Sequence, residues 1–201
     1  MKNTFSTRDF VLLALLVAVL IVLGMVNIPQ PAGLSITFNM IPVAIAAIAL
    51  GVKGGAIIGG AVGLISFLQC FGVFGYSAMG AALTAISPLL SFIQRFVSRL
   101  LVGVCTALVF RAMRECANLH VSSVVTGFSA AFLNTLFFMS SLLLLFGRTE
   151  YMQNLIAGRS VMAFIVASVG INAVVEMIVA AALTGAISAA LFRAGLIRRE
   201  A

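Results

Sequence analysis

The sequence predicts an all-α membrane protein, six transmembrane helices in one bundle with both termini cytoplasmic, forming a single domain over residues 1–201. Three observations carry this. The chain is 63% hydrophobic and 8% charged, with a mean hydropathy of +1.24, which is more apolar surface than a soluble core of this size can hide. The apolar residues fall in long runs between short polar or Pro/Gly breaks, and a spanning helix needs roughly 20 of them. Lys and Arg are unevenly divided between the two sides those runs define, as expected when basic residues resist translocation.

Helix 1 is predicted over Phe10 to Val26, a retained span with no cleavage site behind it, and it ends at Asn27-Ile28-Pro29-Gln30-Pro31-Ala32-Gly33, which cannot continue a helix. Ser35 to Leu50 makes helix 2, short or broken near its outer end by Pro42. Val52-Lys53-Gly54-Gly55 reads as a tight turn, and helix 3 follows from Ala56 to about Gly72. Gly55, Gly59 and Gly63 give it the small-xxx-small spacing of closely packed membrane helices.

Val73 to Pro88 is expected to be an outer loop with a short helical or re-entrant piece. Helix 4 spans about Leu90 to Met113, helix 5 Val121 to Phe146 and helix 6 Ser160 to Phe192, with a polar loop over Gly147 to Gly158. Starting inside, Lys2, Arg8, Lys53, Arg111, Arg114, Arg193, Arg198 and Arg199 are cytoplasmic, against Arg95, Arg99, Arg148 and Arg159 at the outer side. The net charge of +7 therefore belongs to topology and lipid headgroups, and no nucleic-acid role is assigned.

An ionisable side chain at bilayer depth costs several kcal/mol unless paired or hydrated. Arg95 and Arg99 share one face of helix 4, and Asn172 and Glu176 share one face of helix 6. Asn134 lies mid-way along helix 5, and Gln69 and Gln94 lie near the outer ends of helices 3 and 4. These residues converge on one outward-opening pocket if helices 4, 5 and 6 are neighbours. Plainer readings stand beside that one: Asn134 as an interhelical hydrogen bond, Arg99 snorkelling to headgroups, Glu176 in a structural ion pair. Phe38, Phe71, Phe74 and Tyr76 gather at the outer side, where an apolar ligand body needs walls.

Several chemistries lack their residues. There is no phosphate loop for ATP, no His-Glu-x-x-His, and no Gly-x-Ser-Gly serine with a membrane histidine; His120 stands alone at the cytoplasmic end of helix 5. Cys70, Cys105 and Cys116 fall at different depths and fit no disulfide, zinc or redox spacing. No catalytic residue, metal or cofactor is expected. A solute-binding protein is favoured, with an intramembrane enzyme or a membrane scaffold as the alternative classes.

The ordered series Ile36-Thr37-Phe38-Asn39-Met40-Ile41-Pro42, Ala49-Leu50-Gly51-Val52-Lys53-Gly54-Gly55-Ala56, Gly59-Gly60-Ala61-Val62-Gly63-Leu64-Ile65-Ser66-Phe67, Ser87-Pro88 and Arg99-Leu100-Leu101-Val102-Gly103 resembles the substrate-binding S components of energy-coupling factor (ECF) vitamin transporters. Asn134-Thr135 and Asn172 with Glu176 agree with it; Val52 and Ser98 depart from it, each standing where proline is commoner. The resemblance implies a multi-pass protein of the bacterial cell membrane that binds a vitamin near the outer face, under a lid at about 27–37. It also implies docking through Ala14 and Ala18 to a membrane coupling subunit, which works with two ATP-binding subunits. Candidate substrate contacts are then Asn39, Gln69, Phe74, Tyr76, Arg95, Arg99, Asn134, Asn172 and Glu176. The motifs look most like pantothenate-type members, whose carboxylate would suit Arg95 or Arg99; riboflavin is the alternative.

Overall fold

A computed structural model describes residues 6–25, 28–29, 35–158 and 160–195, with the backbone alone at 28–29, 35–36, 161–162, 164–169 and 171–172. The elements are α1 (Thr7–Met25), α2 (Met40–Leu68), a 3-10 turn at Gln69–Phe71, α3 (Ala78–Ile86), α4 (Pro88–Cys116), α5 (Leu119–Phe146), α6 (Glu150–Ile156) and α7 (Val161–Arg193). Two short strands, β1 (Ile28–Pro29) and β2 (Ser35–Ile36), pair antiparallel between α1 and α2. Among the described residues, five stretches are long and apolar enough to cross a membrane: Thr7–Met25, Met40–Phe71, Pro88–Cys116, Leu119–Phe146 and Ala173–Arg193.

Most helices begin a little before the apolar run because a polar side chain caps them. Ser6 and Asp9 bond reciprocally at the start of α1, Ser6 N–H to Asp9 Oδ2 at 2.9 Å and Asp9 N–H to Ser6 Oγ at 3.3 Å. Ser87 caps α4 with Pro88 at its first position, Asn118 caps α5, and Ser160 caps α7. Pro42 lies in the first turn of α2, where its missing N–H costs no helical bond. The loop expected over Gly147 to Gly158 contains the short helix α6, capped by Thr149.

Helices 2 and 3 of the sequence reading are joined as α2, and the turn between them falls at Gly51 rather than over Val52–Gly55. Gly51 has φ 64° and ψ −154°, a conformation open in practice to glycine alone. Eight residues of straight helix rise about 12 Å, yet a Cβ built at Gly54 would lie 2.9 Å from the Ala46 carbonyl oxygen. The chain therefore doubles back, and α2 consists of two arms, 40–50 and 52–68.

The first arm is the centre of the bundle: every residue from Met40 to Ile48 is buried, as expected of a helix that is apolar all round. Around it pack Leu13, Leu16 and Leu20 of α1, Ile58, Val62 and Ile65 of the second arm, Val102 of α4, Ala130 and Ala131 of α5, and Ala180 of α7. The second arm lies directly on α4. Cβ atoms at Gly55, Gly59 and Gly63 would strike the backbone at Gly103, Arg99 and Phe96, so the glycine spacing does serve helix contact. A second apolar cluster joins Met79 and Leu83 of α3, Met139, Leu142 and Phe146 of α5, and Met152 and Ile156 of α6. The two short helices thus cover one end of the bundle.

Candidate functional site

Beneath the end covered by α3 and α6, the polar residues singled out in the sequence separate into two groups. The first group is held largely by the protein itself, although Arg95 Nε is also buried without a hydrogen-bond partner. Gln69 is buried in the 3-10 turn, and its Nε2 donates to Gly24 O (3.0 Å) and Phe74 O (3.2 Å). It thereby ties the end of α1 to the turn after α2, where Phe74 is held at φ 58°. Arg95, 4% exposed, donates from Nη1 to Ser66 O (3.1 Å) and from Nη2 to Ser77 Oγ (3.1 Å). Ser77 Oγ also accepts from Gly80 N–H at the start of α3, so Arg95 locks α2, α3 and α4 together. Tyr76 is 66% exposed and stands outside this network.

The second group is unsatisfied. Arg99, one turn below Arg95, has Nε and Nη1 buried with no hydrogen-bond partner, and its guanidinium lies 5.5 Å from the Phe138 ring centroid. Asn134 shares the Phe138 face of α5, one turn away, and its Oδ1 is buried and unpartnered. Glu176 of α7 interacts electrostatically with Arg99 and accepts from the Thr37 N–H through Oε1 at 2.9 Å. That bond draws the segment leading into α2 against the middle of α7. Two residues on, Asn39 is buried with Oδ1 unpartnered. The Asn172 side chain and most of the expected lid at about 27–37 lie outside the described residues.

Buried polar atoms in proteins are overwhelmingly hydrogen-bonded, and each one left bare costs about 1–3 kcal/mol. A cluster of bare donors and acceptors drawn from the α2 entry, α4 and α5 is a binding-site signature. The family model described as the ECF transporter substrate-specific component matches residues 8–188. The chain belongs to that family. A search of curated proteins gave no match.

As an ECF S component, the protein is a membrane-integral, multi-pass binding subunit, not an enzyme; it associates with ECF module subunits and takes a small-molecule substrate. On α1 the S component turns Leu13, Leu16 and Leu20 into the bundle and leaves Ala14 and Ala18 exposed together on another face. Two participants escaped the sequence reading. Phe138 was one of sixteen phenylalanines with nothing to mark it, and Ser77 gave no signal apart from its position ahead of a short helix.

Proposed function

We propose that this S component captures a small vitamin bearing a carboxylate, pantothenate foremost, at the outer face, and passes it inward by ATP-driven import with a membrane coupling subunit and two ATP-binding subunits. The observation that carries the reading is Arg99: two of its guanidinium nitrogens are buried without a partner, and a guanidinium fork pairs best with a carboxylate. Charge points the same way. Arg95 and Arg99 are two cations against the single anion Glu176, so one further negative charge balances the group.

In this reading Asn134, Asn172 and Asn39 meet the hydroxyl and amide groups of the vitamin, and the Thr37–Glu176 bond holds the lid segment over it. Arg95, Gln69 and Phe74 build the wall behind, and Tyr76 lies at the mouth. Six spans follow if the arms 40–50 and 52–68 each count as one, the first completed by β2 and residues 37–39. Both termini are then cytoplasmic, in line with the Lys and Arg distribution. Ala14 and Ala18 form the docking face, since small residues one turn apart let a partner helix approach closely.

The test is mass spectrometry of small molecules that co-purify with the detergent-solubilised protein, followed by thermal-shift titration with each candidate vitamin. A tight ligand raises the melting temperature with concentration. Pantothenate is expected to do so; a shift with riboflavin and none with pantothenate replaces the vitamin, and no shift with any vitamin contradicts the binding role.

A further inference from the structure

Among the described residues, Gln94 presents the sharpest unmet demand for hydrogen bonds. It is 0% exposed, and both its Nε2 and Oε1 are buried with no partner. A carboxamide offers two donors and an acceptor with two lone pairs, so this one side chain leaves more unsatisfied than any single hydroxyl in the bundle. Its neighbours on α4 are paired elsewhere. One turn toward the helix start, Ser91 Oγ is paired with Thr84 Oγ1 of α3 at 2.9 Å. One turn the other way, Ser98 Oγ donates to Ser141 Oγ of α5 at 2.9 Å. The adjacent Arg95 commits Nη1 to Ser66 and Nη2 to Ser77, and its Nε has no partner, Gln94 included.

The surroundings are otherwise apolar. Leu90, one turn from Gln94, packs on the cluster that α3, α5 and α6 build at the covered end of the bundle. A glutamine kept in such a place without a partner destabilises the protein, and a leucine or methionine would serve packing better. The Gln69 amide nitrogen, by contrast, donates to both Gly24 and Phe74, so it has no Nε2 hydrogen left to offer a ligand.

We infer that Gln94 is a specificity-determining residue of the substrate site: its carboxamide pairs with a polar, uncharged part of the substrate that both donates and accepts hydrogen bonds, a hydroxyl or an amide. This rests on the substrate-binding reading above. Arg99 then selects the charged end of the molecule and Gln94 its neutral polar end, the two positions lying about 7.5 Å apart along α4 and about 140° apart around it at 3.6 residues per turn. A substrate with a carboxylate but an all-hydrocarbon remainder would leave Gln94 bare in the complex and bind poorly, which is how buried polar groups in a site reject the wrong ligand.

The experiment compares wild type with Gln94→Met, nearly the same shape without the amide, measuring the ligand-free melting temperature and pantothenate affinity on the purified full chain. The expected result is a ligand-free melting temperature equal to or above wild type, because an unpaired buried amide has been removed, together with pantothenate binding weaker by roughly 10- to 100-fold. Wild-type protein that binds pantothenate and a Q94M variant that binds it equally well overturn the assignment of Gln94 alone. A melting temperature that falls by several degrees also overturns it, marking Gln94 as structural. Wild-type protein that binds no vitamin overturns the substrate-binding reading itself. Should Q94M fail to fold, the side-chain 15N resonance of Gln94 in wild type decides: a shift on saturation with pantothenate supports the contact, and an unmoved resonance overturns it.

Discussion

The Thr37 backbone amide donates to Glu176 Oε1 at 2.9 Å, joining the segment that leads into α2 to the middle of α7. The acceptor is a carboxylate within electrostatic reach of Arg99, so one side chain bonds the segment entering α2 and also acts on the buried cation. Glu176→Ala removes the acceptor and is expected to speed hydrogen exchange at Thr37 and to raise the pantothenate off-rate about tenfold, the effect of roughly one charge-assisted hydrogen bond. Glu176→Gln keeps an acceptor oxygen and is expected to preserve most of the Thr37 protection. Hydrogen-exchange mass spectrometry on the two variants reads this directly.

The two arginines, one turn apart, are predicted to fail differently. Arg95→Ala removes two hydrogen bonds and leaves a cavity among α2, α3 and α4, lowering stability by about 2–4 kcal/mol. Arg99→Ala removes a group with bare nitrogens and is expected to cost little stability. Melting temperatures of the ligand-free proteins check the order: R95A well below wild type, R99A close to it.

Gly51 has open space where a Cβ would go, with nothing within 4 Å, so Gly51→Ala meets no clash. Its backbone at φ 64° is nonetheless closed to alanine, and a loss of about 1–3 kcal/mol is expected from strain alone. Denaturation of G51A against wild type measures it.

Where α2 crosses α4, the Gly55 and Gly103 backbones touch, and a Cβ at Gly103 would collide with the Gly55 carbonyl oxygen. Gly103→Val is expected to abolish recovery of folded protein. Gly60→Ala places its Cβ 3.8 Å from the Phe96 ring, an ordinary contact, and is expected to purify normally. Size-exclusion profiles in detergent separate the two outcomes.

Ala14→Leu with Ala18→Leu fills the exposed small-residue face of α1. Pantothenate binding by the isolated subunit is expected to be unchanged, while co-purification with the membrane coupling subunit is lost. Retained co-purification would move the docking face elsewhere.

Much of the fold was legible because lipid imposes a simple code: α1, α4, α5 and α7 follow their apolar runs to within a few residues, and the differences at their starts come from Ser, Asn and Asp caps. The turn inside α2 was placed a few residues late because four candidate residues, Gly51, Lys53, Gly54 and Gly55, suit a turn equally in sequence. Only packing against α4 requires Gly55 to stay helical. The helix α6 reads as loop in sequence because its polar residues Glu150, Gln153 and Asn154 conceal the buried Met152 and Ile156. At the candidate site, spacing identifies Arg95 and Arg99 as a pair on one face, but not that Ser66 and Ser77 take both terminal nitrogens of the first while Nε and Nη1 of the second have no partner. That distinction depends on where α2 and α3 come to rest, which no local pattern in α4 encodes.

The two unpartnered nitrogens of the Arg99 guanidinium are proposed to hold the carboxylate of a small vitamin. The most direct test is equilibrium binding of pantothenate by isothermal titration calorimetry to wild type and to Arg99→Met, both shown to be folded by their melting curves. Saturable one-to-one binding to wild type is expected, with a loss of about 100-fold or more in the variant, the scale for truncating one partner of a buried charge pair. Equal affinity in the two proteins would contradict the proposal.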